Sequence, residues 1–208
     1  MNALELLNSG SYKLQKQKIK THRIDSEILL SKVLDKSREE LILNLNKDIE
    51  KAKVSKFKGL IYRRSLNEPV AYILKKREFW KKDFIVNRNT LIPRPETELM
   101  VEKIVNIFNN RNISILDVGT GSGCILLSIL SELKYSKGIG IDISKKAIDV
   151  ANKNLKDHKL FNRTKFLRKS LDQIRNKKFD LVVSNPPYIM KKDIRNLNDD
   201  IKKFEPKL

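Results

Sequence analysis

The chain has 208 residues, with 44 Lys and Arg against 25 Asp and Glu, and a formal net charge of +19. Its hydrophobic content of 40% suits one sizeable folded domain, or a modest domain beside a small helical one. No apolar run is long enough to span a bilayer, and residues 1–10 lack the basic start of a secretory signal. We therefore expect a soluble, cytoplasmic protein that makes no membrane contact.

Composition also limits the kinds of site. The single cysteine, Cys124, excludes an internal disulfide, and with only two histidines we expect no metal site. The lysines are scattered over every segment rather than gathered in one stripe, as a genome biased toward A and T would give. The charge fits attraction to nucleic acid or to a ribosome-associated partner, but it does not by itself decide the partner.

Residues 1–67 read as a small helical bundle. Asp25 is predicted to cap a helix, and Ser37 with Glu40 three residues later forms a capping box before an apolar run. Residues 47–66 place their apolar side chains roughly on one helical face. This part carries no motif with chemistry of its own.

Pro69 marks the boundary of the next segment, residues 68–112. Its residues 78–86 are rich in aromatic and β-branched side chains, which predicts a short hairpin. Residues 90–98 contain two prolines, so they are predicted to be extended and to lead into a helix whose first turn holds Pro95. That helix should run to about Asn109.

From residue 113 to residue 208 the pattern becomes that of an α/β domain. Strands are predicted over 113–118, 138–143, 164–168 and 179–184, with helices over 124–133 and 145–158 between them. Strands that alternate with helices imply a parallel sheet built from right-handed βαβ units. Continuous apolar runs fit strands that are covered on both faces.

A glycine-rich turn follows the first of these strands, with the sequence Asp117-Val-Gly119-Thr120-Gly121-Ser122-Gly123. The spacing is neither that of the dinucleotide fingerprint nor that of a phosphate loop. Glycines let the backbone approach a ligand closely, so the turn fits the amino-acid end of a nucleoside such as S-adenosylmethionine. Asp117 would take the ligand's ammonium, directly or through water. The alternative is a plain strand-to-helix turn.

Asp142 ends the second strand, about 20 residues beyond the glycines, where an acid accepts hydrogen bonds from ribose hydroxyls in nucleotide-binding folds. The alternative for Asp142 is a helix cap.

Asn185-Pro186-Pro187-Tyr188 follows the fourth strand. The Asn185 side chain and the Pro186 carbonyl are two acceptors that match the two hydrogens of an NH₂ group. Tyr188 offers a ring face to a planar amide or base. The alternative is a rigid loop without a ligand.

Together these motifs resemble class I methyltransferases that act on planar nitrogens. Further segments narrow the resemblance to the release factor glutamine methyltransferases, over essentially the whole chain. These segments are Pro69-Val70-Ala71-Tyr72, Arg77-Glu78-Phe79-Trp80, residues 90–98 and residues 184–189.

The resemblance implies a class I, Rossmann-like sheet with a small N-terminal helical domain that recognises the substrate. It also implies methyl transfer from S-adenosylmethionine to the Gln of the Gly-Gly-Gln motif in class 1 peptide release factors. Asn185, Pro186 and Tyr188 would be catalytic, and Pro187 would join them in holding the glutamine. The residues implied at the cofactor are Asp117, Gly119, Thr120, Gly121, Ser122, Gly123, Asp142, Ser170, Leu171 and Asn185.

The chain departs from the family pattern where it stops, shortly after Phe204-Glu205-Pro206. We therefore expect a C-terminally incomplete sheet with the Asn185-bearing strand at its edge, and a chain that aggregates or melts early when alone. Two other functions stay open. One is adenine-N6 methylation of DNA or RNA, which the charge favours, although no target-recognition region is seen. The other is an inactive remnant that only binds its partner.

Overall fold

A computed structural model of the protein describes residues 1–175, 177–186 and 203–206. The chain divides into two compact units, one containing Met1–Leu74 and the other beginning at Lys75. Within the described residues, no helix is both long enough and apolar enough to cross a membrane.

The first unit is a helical bundle, as the sequence predicts. Its helices are α1 (Ala3–Lys16), α2 (His22–Leu34), α3 (Arg38–Ile42), α4 (Lys51–Ser65) and α5 (Val70–Leu74). Apolar side chains from all five pack into one core, including the fully buried Leu6, Leu29, Leu41 and Phe57 and the nearly buried Ile73. The capping box at Ser37 is confirmed, because the Ser37 amide donates to Glu40 and the Glu40 amide donates to the Ser37 hydroxyl.

Two expectations about this unit are corrected. The helical unit does not end at residue 67, because α5 follows Pro69 and Ile73 lies in the helical core. Asp25 does not cap a helix, since α2 begins before it at His22. Asp25 instead accepts hydrogen bonds from the Thr21 hydroxyl at 2.8 Å and from Arg64 Nε at 2.7 Å. It therefore serves as a buried ionic partner between α2 and α4.

The second unit opens with the predicted hairpin, β1 (Lys76–Phe79) paired antiparallel with β2 (Lys82–Ile85). A 3₁₀ turn over Pro95–Thr97 leads into α6 (Glu98–Phe108), as the two prolines predicted. Arg94, just before that turn, donates from Nη2 to both carboxylate oxygens of Glu205 at 2.7 and 2.8 Å. This ion pair joins two segments that are 111 residues apart in the sequence.

The rest of the unit is the predicted α/β sheet. Its elements are β3 (Ser114–Val118), α7 (Cys124–Glu132), β4 (Lys137–Asp142), α8 (Lys145–Asp157), β5 (Thr164–Arg168) and β6 (Leu181–Ser184). The strands are parallel in the order β5-β4-β3-β6. In the described part of the chain β6 lies at an edge, as expected, and Val182 on it is 57% exposed.

The ion pair between Arg64 and Asp25 supplies a test of the helical unit. Both side chains are about nine-tenths buried, so Arg64→Met would leave a buried carboxylate without its cation. We expect the free energy of unfolding to fall by about 3–5 kcal/mol. Arg23→Met is the matched control, because Arg23 is half exposed and its partner Glu27 keeps Arg38. In Arg23→Met the free energy of unfolding should fall by less than about 1 kcal/mol. Equal losses for the two variants in urea unfolding would contradict this assignment.

Candidate functional site

Most of the predicted site residues meet at the carboxyl edge of the parallel sheet. The strand register places the end of β3 beside the ends of β4 and β6, with Val118 opposite both Ile141 and Ser184. Asp142 pairs in turn with Arg168 at the end of β5. The segments that follow these strands therefore share one edge, which is where open α/β sheets bind ligands.

The turn between β3 and α7 requires glycine. Gly119, Gly121 and Gly123 have φ angles of +73°, +56° and +80°, a region that residues with a side chain rarely adopt. At Gly123 a Cβ would also lie 2.7 Å from the Phe166 ring, so the turn and β5 could not approach as they do. The space beside Gly119 is open, which leaves that end of the turn accessible to a ligand.

Four backbone N–H groups of this turn already have acceptors within the protein. Those of Gly119 and Thr120 both donate to the Ile141 carbonyl at 2.9 Å, and that of Gly121 donates to Asp142 Oδ2 at 3.0 Å. The Gly123 amide donates to the Thr120 carbonyl at 2.8 Å. Phosphate sites on such turns need free backbone N–H groups. The geometry therefore disfavours a phosphate ligand and agrees with the absence of a phosphate-loop sequence.

Asp142 fastens the turn to the start of α8. Its Oδ2 holds the Gly121 amide, and its Oδ1 accepts from the Ser144 amide at 2.9 Å. Ser144 is the N-cap of α8, so the predicted alternative of a local helix-start role is part of what Asp142 does. Each carboxylate oxygen has a second lone pair, which leaves acceptor capacity for a ligand hydroxyl.

Asp117 is almost wholly buried, with 1% of its surface exposed. Its Oδ2 accepts from the Thr120 hydroxyl at 2.6 Å, whereas its Oδ1 has no hydrogen-bond partner among the described residues. Burial raises the pKa of the Asp117 carboxyl to about 6; the Thr120 hydroxyl lowers it, the nearby Asp142 charge raises it, and the Leu126 backbone amide lowers it. A cation bound nearby would therefore stabilise the ionised form of the Asp117 carboxyl group.

Asn185 and Pro186 follow β6 directly, beside the open end of the glycine turn. The Ser184 hydroxyl donates to the Val118 carbonyl at 2.9 Å and ties the end of β6 to the end of β3. Asn185 is half-buried and Pro186 is exposed. Pro187 and Tyr188, also predicted for this site, lie outside the described residues.

Ser170 and Leu171 follow β5, one strand beyond Asp142. The Ser170 amide donates to Gln173 Oε1 at 3.0 Å, and the Leu171 side chain is 57% exposed.

The sequence analysis did not identify Ile143, which follows Asp142 and is 67% exposed. An apolar residue directly after a strand-ending acid was the available signal. Ile143 and Leu171 together offer apolar surface at adjacent strand ends.

Asn154 was also not singled out. It lies on the buried face of α8 with no exposed surface, and its side chain donates to the Ser122 carbonyl at 2.8 Å. A polar residue on the apolar face of a predicted helix was the signal that could have identified it.

Over residues 1–175, 177–186 and 203–206, no three His, Cys, Asp or Glu side chains lie close enough together to form a metal site.

Two protein-family models match this chain, one in each of its two units. The PrmC N-terminal domain matches residues 5–74, ending where the first unit ends, and the Methyltransferase small domain matches residues 95–201.

Three relatives illustrate the likeness. A release factor glutamine methyltransferase of Buchnera aphidicola subsp. Schizaphis graminum is 45% identical, over 86% of this chain and 65% of that protein. Its counterpart from Buchnera aphidicola subsp. Baizongia pistaciae is 39% identical, over 96% of this chain and 72% of that protein. A bifunctional methyltransferase of Rickettsia typhi is 34% identical, over 97% of this chain and 43% of that protein.

The chain therefore spans 65% of the length of the first relative and less than half of the Rickettsia protein. The chain belongs to the release factor glutamine methyltransferase family, and its second unit has the class I methyltransferase fold.

Proposed function

We propose that this protein transfers a methyl group from S-adenosylmethionine to the side-chain amide nitrogen of the Gln in the Gly-Gly-Gln motif of class 1 peptide release factors. One observation carries the proposal. A glycine turn in which four backbone N–H groups already have acceptors lies between two carboxylates, Asp117 and Asp142, and beside the strand end that bears Asn185. Such a site favours a cationic ligand over an anionic one.

The residues present fit S-adenosylmethionine. The unpartnered Asp117 Oδ1 suits its ammonium, and the remaining lone pairs of Asp142 suit its ribose hydroxyls. The exposed side chains of Ile143 and Leu171 suit the faces of its adenine. We assign cofactor contacts to these residues and to Gly119, Thr120, Gly121, Ser122, Gly123, Ser170 and Asn185.

When bound, S-adenosylmethionine supplies an electrophilic methyl group, and the protein has to orient the acceptor nitrogen. An amide nitrogen is a weak nucleophile because its lone pair is delocalised. The Asn185 side-chain oxygen and the Pro186 carbonyl would accept its two hydrogens and direct the nitrogen at the methyl carbon. Such ordering can be worth about 7–11 kcal/mol. The proton leaves after transfer, so no strong base is needed. Pro187 and Tyr188 complete this proposed substrate site.

The names of the two Buchnera relatives support release factors as the substrate. We assign substrate recognition to the first unit, which matches the PrmC N-terminal domain, and a cytoplasmic location to the whole. Metal ions and membranes have no part in the proposed reaction, and nucleic acid is not its substrate.

Label transfer from methyl-labelled S-adenosylmethionine tests the function directly. The chain would be incubated with a class 1 release factor, with the same factor carrying Ala for the motif Gln, and with DNA and RNA. We expect label in the first substrate alone. Label in DNA or RNA would show an adenine methyltransferase. Binding of the release factor without label would show an inactive partner-binding chain.

Asn185→Ala should separate binding from transfer. Losing an acceptor for the substrate amide should cost at least about 2 kcal/mol, or roughly thirtyfold in rate, while affinity for S-adenosylmethionine changes little. Ser131→Ala, which removes a hydroxyl that donates to the Ser128 carbonyl near the end of α7, is the control and should transfer methyl groups nearly normally. Full activity of Asn185→Ala would remove Asn185 from the mechanism.

Asp142→Ala should weaken S-adenosylmethionine binding by roughly tenfold or more, since charge-assisted hydrogen bonds are worth about 1.5–3 kcal/mol. Calorimetric titration would measure the affinity. Asp142→Asn keeps an oxygen for the Ser144 or Gly121 amide but loses the charge, so it should fall between Asp142→Ala and wild type. An affinity unchanged in both variants would mean that Asp142 only supports the backbone.

Asp117→Asn should stabilise the ligand-free protein. Burial raises the pKa of Asp117 to about 6, whereas the unfolded chain has an ordinary value of about 3.9. The folded state therefore binds this proton more tightly, and the resulting loss of stability sets in as pH rises from about 4 to 6. The variant should melt above wild type at neutral pH, with the difference vanishing near pH 4.

The same Asp117→Asn variant should bind S-adenosylmethionine more weakly, because it lacks the charge opposite the ammonium. Thermal melts over a pH series and titration at neutral pH would check both effects. A variant that melts below wild type at neutral pH and binds equally well would contradict the role given to Asp117.

A further inference from the structure

We propose that Asn154 is a positioning residue that holds the cofactor turn in its binding conformation and couples it to the β1–β2 hairpin. The hydrogen bonds of this one side chain join three elements: α8, the glycine turn and β2. The proposal rests on the proposed function in so far as the turn holds S-adenosylmethionine.

The Asn154 side chain uses all of its hydrogen-bonding groups. Nδ2 donates to the Ser122 carbonyl at 2.8 Å and to the Ile85 carbonyl at 3.0 Å, and Oδ1 accepts from the Ile85 amide at 2.7 Å. The residue has no exposed surface, so water cannot replace these bonds without rearrangement. Asp would lose both donors, and Ala would leave three backbone groups without partners.

The hydrogen bond to the Ser122 carbonyl restrains the glycine turn between two of its three glycines. Ser122 lies between Gly121 and Gly123, two residues with positive φ that have little conformational preference of their own. The Gly121 amide is already held by Asp142, the last residue of β4, whose other oxygen accepts from the amide of Ser144 at the N-cap of α8. Consecutive turn residues are therefore held at two places, by Asp142 at the end of β4 and by Asn154 on α8.

The two hydrogen bonds to Ile85 connect the same side chain, Asn154, to the β1–β2 hairpin. Both backbone groups of Ile85 pair with the Asn154 side chain, much as they would with a neighbouring strand. A ligand that orders the turn should thus also order the end of β2, and the coupling must act equally in the reverse direction. The segment after β2 leads to Arg94 and its ion pair with Glu205.

The test compares Asn154→Ala and Asn154→Asp with a matched control, Ser136→Ala. Ser136 is equally buried, and its hydroxyl accepts from the Ile113 amide at 3.1 Å and donates to the Arg111 carbonyl at 3.0 Å. It precedes β4, at the opposite edge of the sheet from the glycine turn. Its loss should lower the melting temperature without moving the turn.

Titration with S-adenosylmethionine is done at a temperature at which every variant is folded by circular dichroism. We expect both Asn154 variants to bind at least about fivefold more weakly than wild type, as loss of about 1 kcal/mol implies, and Ser136→Ala to stay within about twofold. Wild-type affinity in the Asn154 variants, or an equal loss in Ser136→Ala, would overturn the proposal. A wild-type protein that does not bind S-adenosylmethionine would instead overturn the proposed function.

Amide hydrogen exchange distinguishes failure of this proposal from failure of the proposed function, because the effect of Asn154 on the turn can be measured without ligand. Amide hydrogen exchange at Gly121 and Gly123 should be faster in Asn154→Ala than in wild type, and unchanged in Ser136→Ala. In wild type, saturation with S-adenosylmethionine should slow exchange of the Ile85 amide. Unaltered exchange at both glycines in Asn154→Ala would show that Asn154 does not position the turn. A ligand without effect on Ile85 would rule out the coupling.

Discussion

The attachment of the glycine turn to the end of β4 is the constraint on which the site depends. One carbonyl, that of Ile141, accepts two turn amides, and the carboxylate of Asp142 accepts a third. This arrangement needs positive φ at the glycines and leaves few donors for an anion. Because β6 pairs with β3 on the side away from β4, Asn185 follows a strand end adjacent to the start of the turn.

The electrostatics of the site follow from that attachment. Asp117 is buried beneath the turn, and the charge of Asp142 adds to its cost of ionisation. A protein selected for stability alone would have little reason to keep a buried carboxylate with an unpartnered oxygen. In the proposed site, a positively charged cofactor would supply the missing partner of this carboxylate. Lower stability of the free protein and affinity for the cofactor would then both follow from Asp117.

Much of the fold could be predicted from the sequence, because the features that determine it are local. The alternation of strand and helix patterns located the four strands of the main sheet, and β5 has the predicted bounds although only two of its five residues, Phe166 and Leu167, are apolar. The glycine spacing located the turn, and the acid after the next strand located Asp142. Parallel pairing then brought these segments to one edge without further information.

The residues that could not be predicted act over long sequence separations or against a local pattern. Asn154 contacts Ile85 across 69 residues and Arg94 contacts Glu205 across 111, and no periodicity reports such pairs. Pro69 was read as a boundary, yet its carbonyl accepts the Tyr72 and Ile73 amides that open α5. Asp25 had the sequence context of a cap, but tertiary pairing with Arg64 decided its place.

The central claim is that this chain methylates a glutamine amide, and locating the methyl group tests it most directly. A class 1 release factor would be incubated with the chain and S-adenosylmethionine, digested, and analysed by tandem mass spectrometry. One added methyl group on the side-chain nitrogen of the Gly-Gly-Gln glutamine is the predicted result. A methyl group on another residue of the release factor, or on nucleic acid present in the reaction while the glutamine stays unmodified, would contradict it.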